Sequence, residues 1–305
     1  MRTRRLWSAV VCLSGVCWLL AGPGSPAASS TAVRASLSVE GAVSAPATYS
    51  RSALAALPQT TVATGSGSAM HTVEGVSLQT LVDLAQPLLP IGVKNAQLRV
   101  TIAVEAPRDR ATTVALGELD PNFGNHPAIL VVKRDGRDLP FGPRLVYPDD
   151  ATAARCVSHV RRITVAVQSP TPAVPAHAGD LTVTDGEVTR VLSAEQLAHL
   201  PSRTRTVSFL AGTAPQTHTE SGPALVAVLA RAGLRVGRET WVAAVASDAY
   251  VATVTPGEAR FGGRPLQISL VEDGVALAQP RLVVDGDVKG GRYVSGVTKL
   301  VVGDG

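Results

Sequence analysis

The stretch PRLVY at residues 143–147 returns as PRLVV at residues 280–284. Each copy follows an apolar run that ends in Asp-Gly, and each precedes a last apolar run. Further matches on both sides keep the same order, at separations between 137 (280 − 143) and 147 (222 − 75) residues. Matches in a fixed order at one large separation indicate an internal duplication. The sequence therefore predicts one kind of domain used twice.

Each half also begins with matching helix signals. Ser50 caps a short helix, and Ser193 with Gln196 three residues later forms the capping box of its counterpart. Both helices end in Leu-Pro. A second helix is predicted after Gly75 in the first copy, and in the second copy Pro223 is predicted in the first turn of the equivalent helix.

The remaining apolar residues alternate or form short runs, which is typical of strands. The predicted strands lie at 98–104, 129–132, 163–167, 241–246, 266–271 and 297–302. Two short helices with many strands in each copy indicate an α+β fold that is mostly β. A Pro-rich spacer at 169–179 separates copy one, at 31–168, from copy two, at 180–305.

Residues 1–30 have the features of a signal peptide. Three arginines precede an apolar run at 6–21, and small residues follow it. The segment 3–7 (TRRLW) also resembles a twin-arginine export signal, while an uncleaved anchor helix is the competing interpretation. We expect a secreted or extracytoplasmic protein with no stable membrane span after cleavage.

Charge argues against a nucleic-acid partner. The net charge is +4, but residues 1–30 hold three arginines and no acid, which leaves 25 basic and 24 acidic residues. The rest of the chain has no basic run.

Beyond residue 30 the chain has one cysteine, Cys156, which excludes an intrachain disulfide and is typical of a packing residue. A reactive thiol or an intermolecular bridge is the alternative.

The order of these motifs resembles the oxidoreductase molybdopterin-binding domain, the cofactor domain of sulfite-oxidase-like enzymes. The resemblance covers most of 37–167 and again 181–302. In the second copy, the turn containing Asp248 and Tyr250 is similar to the Asp-Gly-Tyr turn of that family, with Ala249 in place of Gly.

This resemblance implies a pterin-bound molybdenum that is held by one cysteine thiolate, with basic residues around an oxyanion substrate. The family's cysteine follows the first helix, at the start of the loop that leads to the second. Residues 61–65 and 207–212 occupy these windows, and neither contains Cys. Cys156 lies far downstream, so its position does not make it a substitute. We therefore expect no metal site and no bound cofactor.

Basic residues are the first candidates for binding an anion. Arg144 and Arg281 recur at one repeat position, and a planar guanidinium suits phosphate or sulfate oxygens. The alternative is a structural arginine that bonds loop carbonyls or the Asp-Gly turn. Lys289 and Arg292 flank a Gly-Gly pair in copy two only, where a solvated loop is the alternative.

Two histidines complete the candidate ligand-binding residues. His71 and His218 recur at one repeat position, each followed by Thr. A titrating or metal-binding role competes with a hydrogen bond to a neighbouring backbone group. Asp248 and Tyr250 join this set through the resemblance. No catalytic residues are identified.

Three functional hypotheses remain open at this point. The leading one is an exported, non-catalytic tandem protein, a pseudoenzyme that binds a protein partner or an anionic small molecule. The second is a molybdopterin-dependent oxidoreductase whose metal is held without a cysteine. The third is a structural β-rich module at the cell surface. Fold-level similarity alone links the chain to redox chemistry, and fold does not imply function.

Overall fold

The computed structural model describes residues 36–65, 70–108 and 110–305. The predicted signal peptide at 1–30 lies outside the described residues. The described residues from 36 onward belong to one compact unit. The first half of this unit is defined as 36–168, and the second half as 180–305. The fold is α+β and mostly β, as predicted.

The strands of the first half pair into two sheets. The strands are β1 Leu37–Gly41, β2 Ala47–Tyr49, β3 Thr60–Thr64, β4 His71–Ser77, β5 Val100–Ala106, β6 Arg110–Ala115, β7 Ile129–Arg134, β8 Arg137–Asp138, β9 Arg144–Val146, β10 Val157–Ser158 and β11 Arg162–Val167. One sheet has the order β2-β1-β11-β5-β6, and the other has the order β10-β9-β7-β4-β3, with β8 beside β7.

The second half has the same strand order in one sheet, and its other sheet has fewer strands, with none equivalent to β10. Its strands are β12 Leu181–Thr184, β13 Thr189–Leu192, β14 Ser202–Ala211, β15 Ala214–Pro223, β16 Thr240–Ala246, β17 Val251–Val254, β18 Leu266–Glu272, β19 Val275–Val284 and β20 Val297–Asp304. Its sheets have the orders β13-β12-β20-β16-β17 and β14-β15-β18-β19. In both halves the opening strand pairs in parallel with the last strand, β1 with β11 and β12 with β20.

Short helices cover the sheets. They are α1 Arg51–Ala56, α2 Leu78–Ala85, α3 Leu116–Leu119, α4 Ala194–Ala198, α5 Leu225–Arg231 and α6 Pro256–Arg260, together with 3₁₀ turns at Ala96–Arg99, Ala153–Arg155 and Gly290–Arg292. The Ser50 cap and the Ser193–Gln196 capping box are confirmed.

The buried side chains form one large cluster in each half, and Leu98 and Phe123 of the first half belong to the cluster of the second. In the described part of the chain, every helix falls short of the length and apolar character needed to cross a bilayer.

Two local predictions are wrong. Pro223 is the last residue of β15, and the following helix begins at Leu225, after the cap residue Ala224. Leu98 lies in a 3₁₀ turn, so the predicted strand at 98–104 begins at Val100 instead. Pro223 was misplaced because the chain stays extended through Pro223 and Ala224 before the helix begins.

The glycines before these helices have a packing role within the strands. A Cβ on Gly75 would lie 2.3 Å from the carbonyl oxygen of Leu130, and a Cβ on Gly222 would lie 2.1 Å from that of Ile268. Both distances are far inside van der Waals contact, so only glycine lets the neighbouring strands approach this closely.

The two halves contact each other through reciprocal backbone positions. The Thr253 hydroxyl of the second half donates to the carbonyl oxygen of Leu98 at 2.8 Å. At the matching position of the first half, the Thr113 amide donates to the carbonyl oxygen of Arg238 at 2.9 Å. Reciprocal contacts of this kind are typical of two like units that pack about a two-fold relation.

Candidate functional site

His71 and His218, the repeated histidines, each contact the aspartate of the Asp-Gly turn in the same half. His71 Nδ1 lies 2.8 Å from Asp135 Oδ2, and the Thr72 amide donates to the other carboxylate oxygen at 3.0 Å. His218 Nδ1 lies 2.9 Å from Asp273 Oδ2 in the same arrangement. The hydrogen bond from His71 is the main cause that lowers the pKa of Asp135. The histidines therefore have a side-chain partner rather than the expected backbone partner.

The arginines of the repeated stretch differ between the halves. In the second half, Arg281 Nη1 donates to Glu220, to Glu272 and to the Tyr293 hydroxyl, and its Nε donates to Ser295 Oγ at 3.0 Å. Glu220 is fully buried, and burial is the main reason why the pKa of its carboxyl group is raised. Arg281 is thus neutralised by acidic side chains, not by loop carbonyls or by the turn.

Strand register identifies the equivalent positions in the first half. Glu220 pairs with Glu272 across β15 and β18, and Val73 pairs with Arg134 across β4 and β7. Each of these residues lies at the same offset from its His-Thr pair or its Asp-Gly turn. A valine and an arginine therefore occupy the places of the two glutamates that neutralise Arg281.

The tyrosine of the second-half cluster is also replaced. Leu282 forms an isolated β-bridge with Val294, and the matching Leu145 pairs with Val157. The residue before Val294 and the residue before Val157 therefore occupy equivalent positions. Those residues are Tyr293 in the second half and Cys156 in the first. Glu220, Glu272 and Tyr293 are thus all missing from the surroundings of Arg144.

Arg144 lines a cavity of about 490 Å³ in the first half. His71, Arg134 and Cys156 also line this cavity. Among the described residues, the buried Nε of Arg144 has no hydrogen-bond partner. A buried guanidinium nitrogen without an acceptor is costly, so the site favours a ligand that supplies one. The structure thus brings together two of the predicted residues, Arg144 and His71, and adds Arg134 to them.

The carboxylate that reaches this cavity is already neutralised. Asp150 accepts two hydrogen bonds from Arg155, at 2.8 and 2.6 Å, and lies 3.2 Å from His126 Nε2. Burial raises the pKa of Asp150, but the hydrogen bonds and charges of Arg155 and His126 together outweigh burial, so the net shift is downward. Arg155 also contacts the fully buried Glu118 at 2.7 Å. The cationic character of Arg144 and Arg134 is therefore not cancelled by Asp150.

Arg292 belongs to the equivalent ion cluster of the second half. It donates to Glu258 at 2.8 Å through each of its two terminal nitrogens, and to Asp287 at 2.9 Å through Nε. Arg264 joins the same carboxylates. Arg292 is fully buried, so the expected solvated loop is wrong at this residue, and its guanidinium is not available to an external anion.

Asp248, Tyr250 and Lys289 line a different cavity, of about 820 Å³, between the halves. Each already has a partner within the chain. Asp248 accepts from the Tyr250 amide at 3.0 Å, and the Tyr250 hydroxyl donates to the carbonyl oxygen of Gly291 at 2.7 Å. Lys289 Nζ donates to Asn122 at 3.0 Å. The Lys289–Asn122 bond joins the halves, and the three internal partners leave Arg144 as the better candidate for binding an anion.

The two windows in which the resembled family has its cysteine lie at these cavities. Thr64 and Gly65 of the first window line the smaller cavity, and Phe209–Gly212 of the second window line the larger one, without supplying sulfur. Cys156 is brought into the smaller cavity, which its distance along the chain did not indicate. It packs with Val62 and Leu139 against an aliphatic cluster, as expected of a packing cysteine. In the described residues, no three His, Cys, Asp or Glu side chains are grouped to hold a metal ion.

Sequence reasoning missed the residues that distinguish the two halves. Arg134 and Glu272 both precede the Asp-Gly turn, so the change of charge at this position was visible in the aligned repeats. Val73 and Glu220 both follow His-Thr, and they differ in the same way. Strand register, which the sequence does not show directly, places all four beside the repeated arginine.

Comparison with known proteins gives a distant structural likeness. No protein-family model matches the chain, and no curated protein matches it. Among similar solved structures is the crystal structure of the sulfane dehydrogenase SoxCD from Paracoccus pantotrophus, with 14% sequence identity and a TM-score of 0.34. The likeness covers 86% of this chain and 77% of that chain. A likeness at this level identifies no family, cofactor or activity for this protein.

Proposed function

We propose that this chain is an exported, non-catalytic protein with two repeats of one domain type, and that it binds a small anionic ligand in the first-half cavity. One observation carries the proposal: Arg144 lines that cavity with a buried Nε that has no partner among the described residues. The matching Arg281 is held by two glutamates and a tyrosine.

The charge balance around the cavity supports this proposal. Arg134 lies where the second half has Glu272, and Val73 lies where it has Glu220. The first half therefore lacks two carboxylates beside the repeated arginine position and has one more guanidinium. An anion with a planar pair of oxygens can accept two parallel hydrogen bonds from one arginine.

The export proposal rests on residues 1–30 alone, because their basic, apolar and small-residue segments follow the pattern of a signal peptide. Cells that produce the full chain would be fractionated, and the N-terminus of the product sequenced. A shortened protein outside the cytoplasm is the expected result. A full-length product in the cytoplasm would contradict export.

Ligand binding is tested by isothermal titration calorimetry of the purified protein with acetate, sulfate and inorganic phosphate. We expect at least one anion to bind, and Arg144→Gln to weaken it about 10–100-fold, since a charged hydrogen bond contributes roughly 1.5–3 kcal/mol. Arg110→Gln is the matched control, because Arg110 is an exposed arginine outside the cavity. Equal binding by the two variants would overturn the site.

The non-catalytic part of the proposal has its own test. The protein would be produced with its signal in a host that makes molybdopterin, and molybdenum would be counted by mass spectrometry. We expect no stoichiometric metal. One molybdenum per chain would instead favour the oxidoreductase alternative.

A further inference from the structure

The cavity beside Arg144 is apolar over much of its lining. Val73, Val131, Val146 and Leu139 line it, and all four belong to one small hydrophobic cluster on this sheet. A site for a bare inorganic anion needs polar donors on several sides. Aliphatic side chains donate no hydrogen bonds, so an anion that contacts these four residues has no donor on that side.

The second half has polar residues at two of these four aliphatic positions, those of Val73 and Val131. Val131 pairs with Arg144 across β7 and β9, and Ser269 pairs with Arg281 across β18 and β19, so the serine replaces the valine. Glu220 likewise replaces Val73. In the second half the chain itself therefore supplies both a carboxylate for the arginine and polar neighbours around it.

Glu220 shows what kind of group the arginine site accepts. Its carboxylate is joined to the backbone by a short aliphatic stem, and it lies between Arg281 and Tyr293. With Val73 at the equivalent place, the first half lacks both the stem and the carboxylate. A ligand that replaces this side chain would carry one carboxylate at one end and hydrocarbon behind it.

We propose that the ligand of the first-half cavity is a monocarboxylic acid with an aliphatic body. Its carboxylate accepts hydrogen bonds from Arg144, and its hydrocarbon chain packs against the aliphatic cluster. This inference rests on the proposed anion site and specifies the ligand class of that site. A cavity of about 490 Å³ is within the range of small-molecule sites, roughly 300–1,000 Å³.

Calorimetric titration with acetate, butanoate, hexanoate and octanoate tests whether the site binds the aliphatic part of the ligand. Each added methylene should raise the affinity about fourfold until the cavity is filled, because burying one methylene contributes about 0.8 kcal/mol. Octanamide is the uncharged control, and it should bind at least tenfold more weakly than octanoate. Equal affinities for acetate and octanoate would overturn the inference.

Sulfate and inorganic phosphate distinguish failure of this inference from failure of the proposed function. If either binds as tightly as octanoate, the site binds anions, but the inference that the ligand has an aliphatic body is wrong. If no anion in the series binds, the proposed function fails together with the inference. Tighter binding of octanoate than of both inorganic anions supports the inference.

Val73→Glu gives the first half the carboxylate that Glu220 supplies in the second half. We expect this variant to fold, since Glu220 occupies the equivalent place, and to lose octanoate binding at least 50-fold. Val73→Gln, of the same size but uncharged, should lose less. Unchanged octanoate binding by Val73→Glu would overturn the inference. Should Val73→Glu fail to fold, Arg144→Gln gives the same test, because it removes the partner of the carboxylate and leaves the aliphatic cluster in place.

Discussion

Arg292 of the second half lies against Gly117 of the first, where an added Cβ would be 2.9 Å from the Cδ of Arg292. The opposite pair repeats the contact, with Arg155 Cδ 3.2 Å from the Cβ position of Gly257. Both glycines precede a buried glutamate, Glu118 or Glu258, that binds the arginine of its own half. Each ion cluster is therefore packed against the helical turn of the other half.

Alanine at these glycines should destabilise the protein unequally. A Cβ at Gly117 would also lie 2.7 Å from Leu98 Cδ2, whereas the nearest atom at Gly257 is at 3.2 Å. We expect Gly117→Ala to cost about 1–3 kcal/mol in the free energy of unfolding, and Gly257→Ala less, because overpacking forces neighbours to shift. Urea unfolding measures both. Gly237→Ala is the control, since its nearest neighbours lie 3.9 Å away. An equal cost at all three glycines would contradict the packing argument.

Removal of the Arg292 guanidinium should cost more than either glycine change. Arg292→Met leaves Glu258 and Asp287 buried without their main partner, a defect that typically costs about 3–5 kcal/mol. Arg190→Met, at an exposed arginine, is the control. A cost below that of Gly117→Ala would contradict the view that Arg292 is the main partner of these buried carboxylates.

The loss in Arg292→Met should also shrink as the pH falls. Burial raises the pKa of Glu258, but Arg292 and the neighbouring guanidinium groups outweigh burial and lower the pKa overall. Without Arg292, burial dominates and the folded-state pKa rises above the unfolded value. Such a carboxyl group destabilises the fold at neutral pH, and protonation relieves that cost. Urea unfolding at pH 7 and pH 5 should therefore show a smaller difference from wild type at pH 5.

Periodicity and caps were enough to predict the fold class, because they depend on neighbours in the chain. The serine caps and most strands lie where local patterns placed them. Glu118 and Glu258 each follow a glycine at matching places in the two halves, but nothing local indicates their complete burial. Their partners Arg155 and Arg292 lie 37 (155 − 118) and 34 (292 − 258) residues further along the chain. Only tertiary pairing reveals a buried ion cluster of this kind.

The candidate site was half predictable for the same reason. Arg144 and His71 stood out because they recur, yet recurrence alone suggested that Arg144 and Arg281 are equivalent. What separates them is the side chain that each strand partner presents, a property of register rather than of the repeated stretch. The duplicated origin and the domain boundaries at 168 and 180 remain predictions.

Replacement by glutamine should destabilise the protein at Arg281 but not at Arg144. Arg281→Gln leaves the buried Glu220 without its cation, so we expect a loss of roughly 2–4 kcal/mol in the free energy of unfolding. Arg144→Gln removes a guanidinium that pairs with no acid among the described residues and whose buried Nε has no acceptor, so we expect no loss in the free energy of unfolding. Thermal and urea unfolding of the two variants provide the comparison. A large loss at Arg144 would indicate a structural arginine and weaken the binding proposal.

The two histidine–aspartate pairs should differ in how strongly each histidine sets the acidity of its aspartate. The pKa of Asp135 is lowered first by the His71 bond and then by the Thr72 amide, whereas the pKa of Asp273 is lowered first by the Thr219 amide. Carboxyl-carbon NMR titration should therefore show a larger upward shift of the Asp135 pKa in His71→Gln than of the Asp273 pKa in His218→Gln.

Stability in acid should follow the same order. A lowered folded-state pKa stabilises the fold above the unfolded value of about 3.9, and that contribution is lost as the pH falls through the lower folded value. His71→Gln should therefore flatten the acid limb of the stability profile more than His218→Gln does. Asp185, whose pKa is lowered mainly by the Val188 amide, is the internal reference and should titrate unchanged in both variants. Equal shifts at Asp135 and Asp273 would contradict the predicted difference, and no shift at either would mean that the backbone amides alone set both carboxylates.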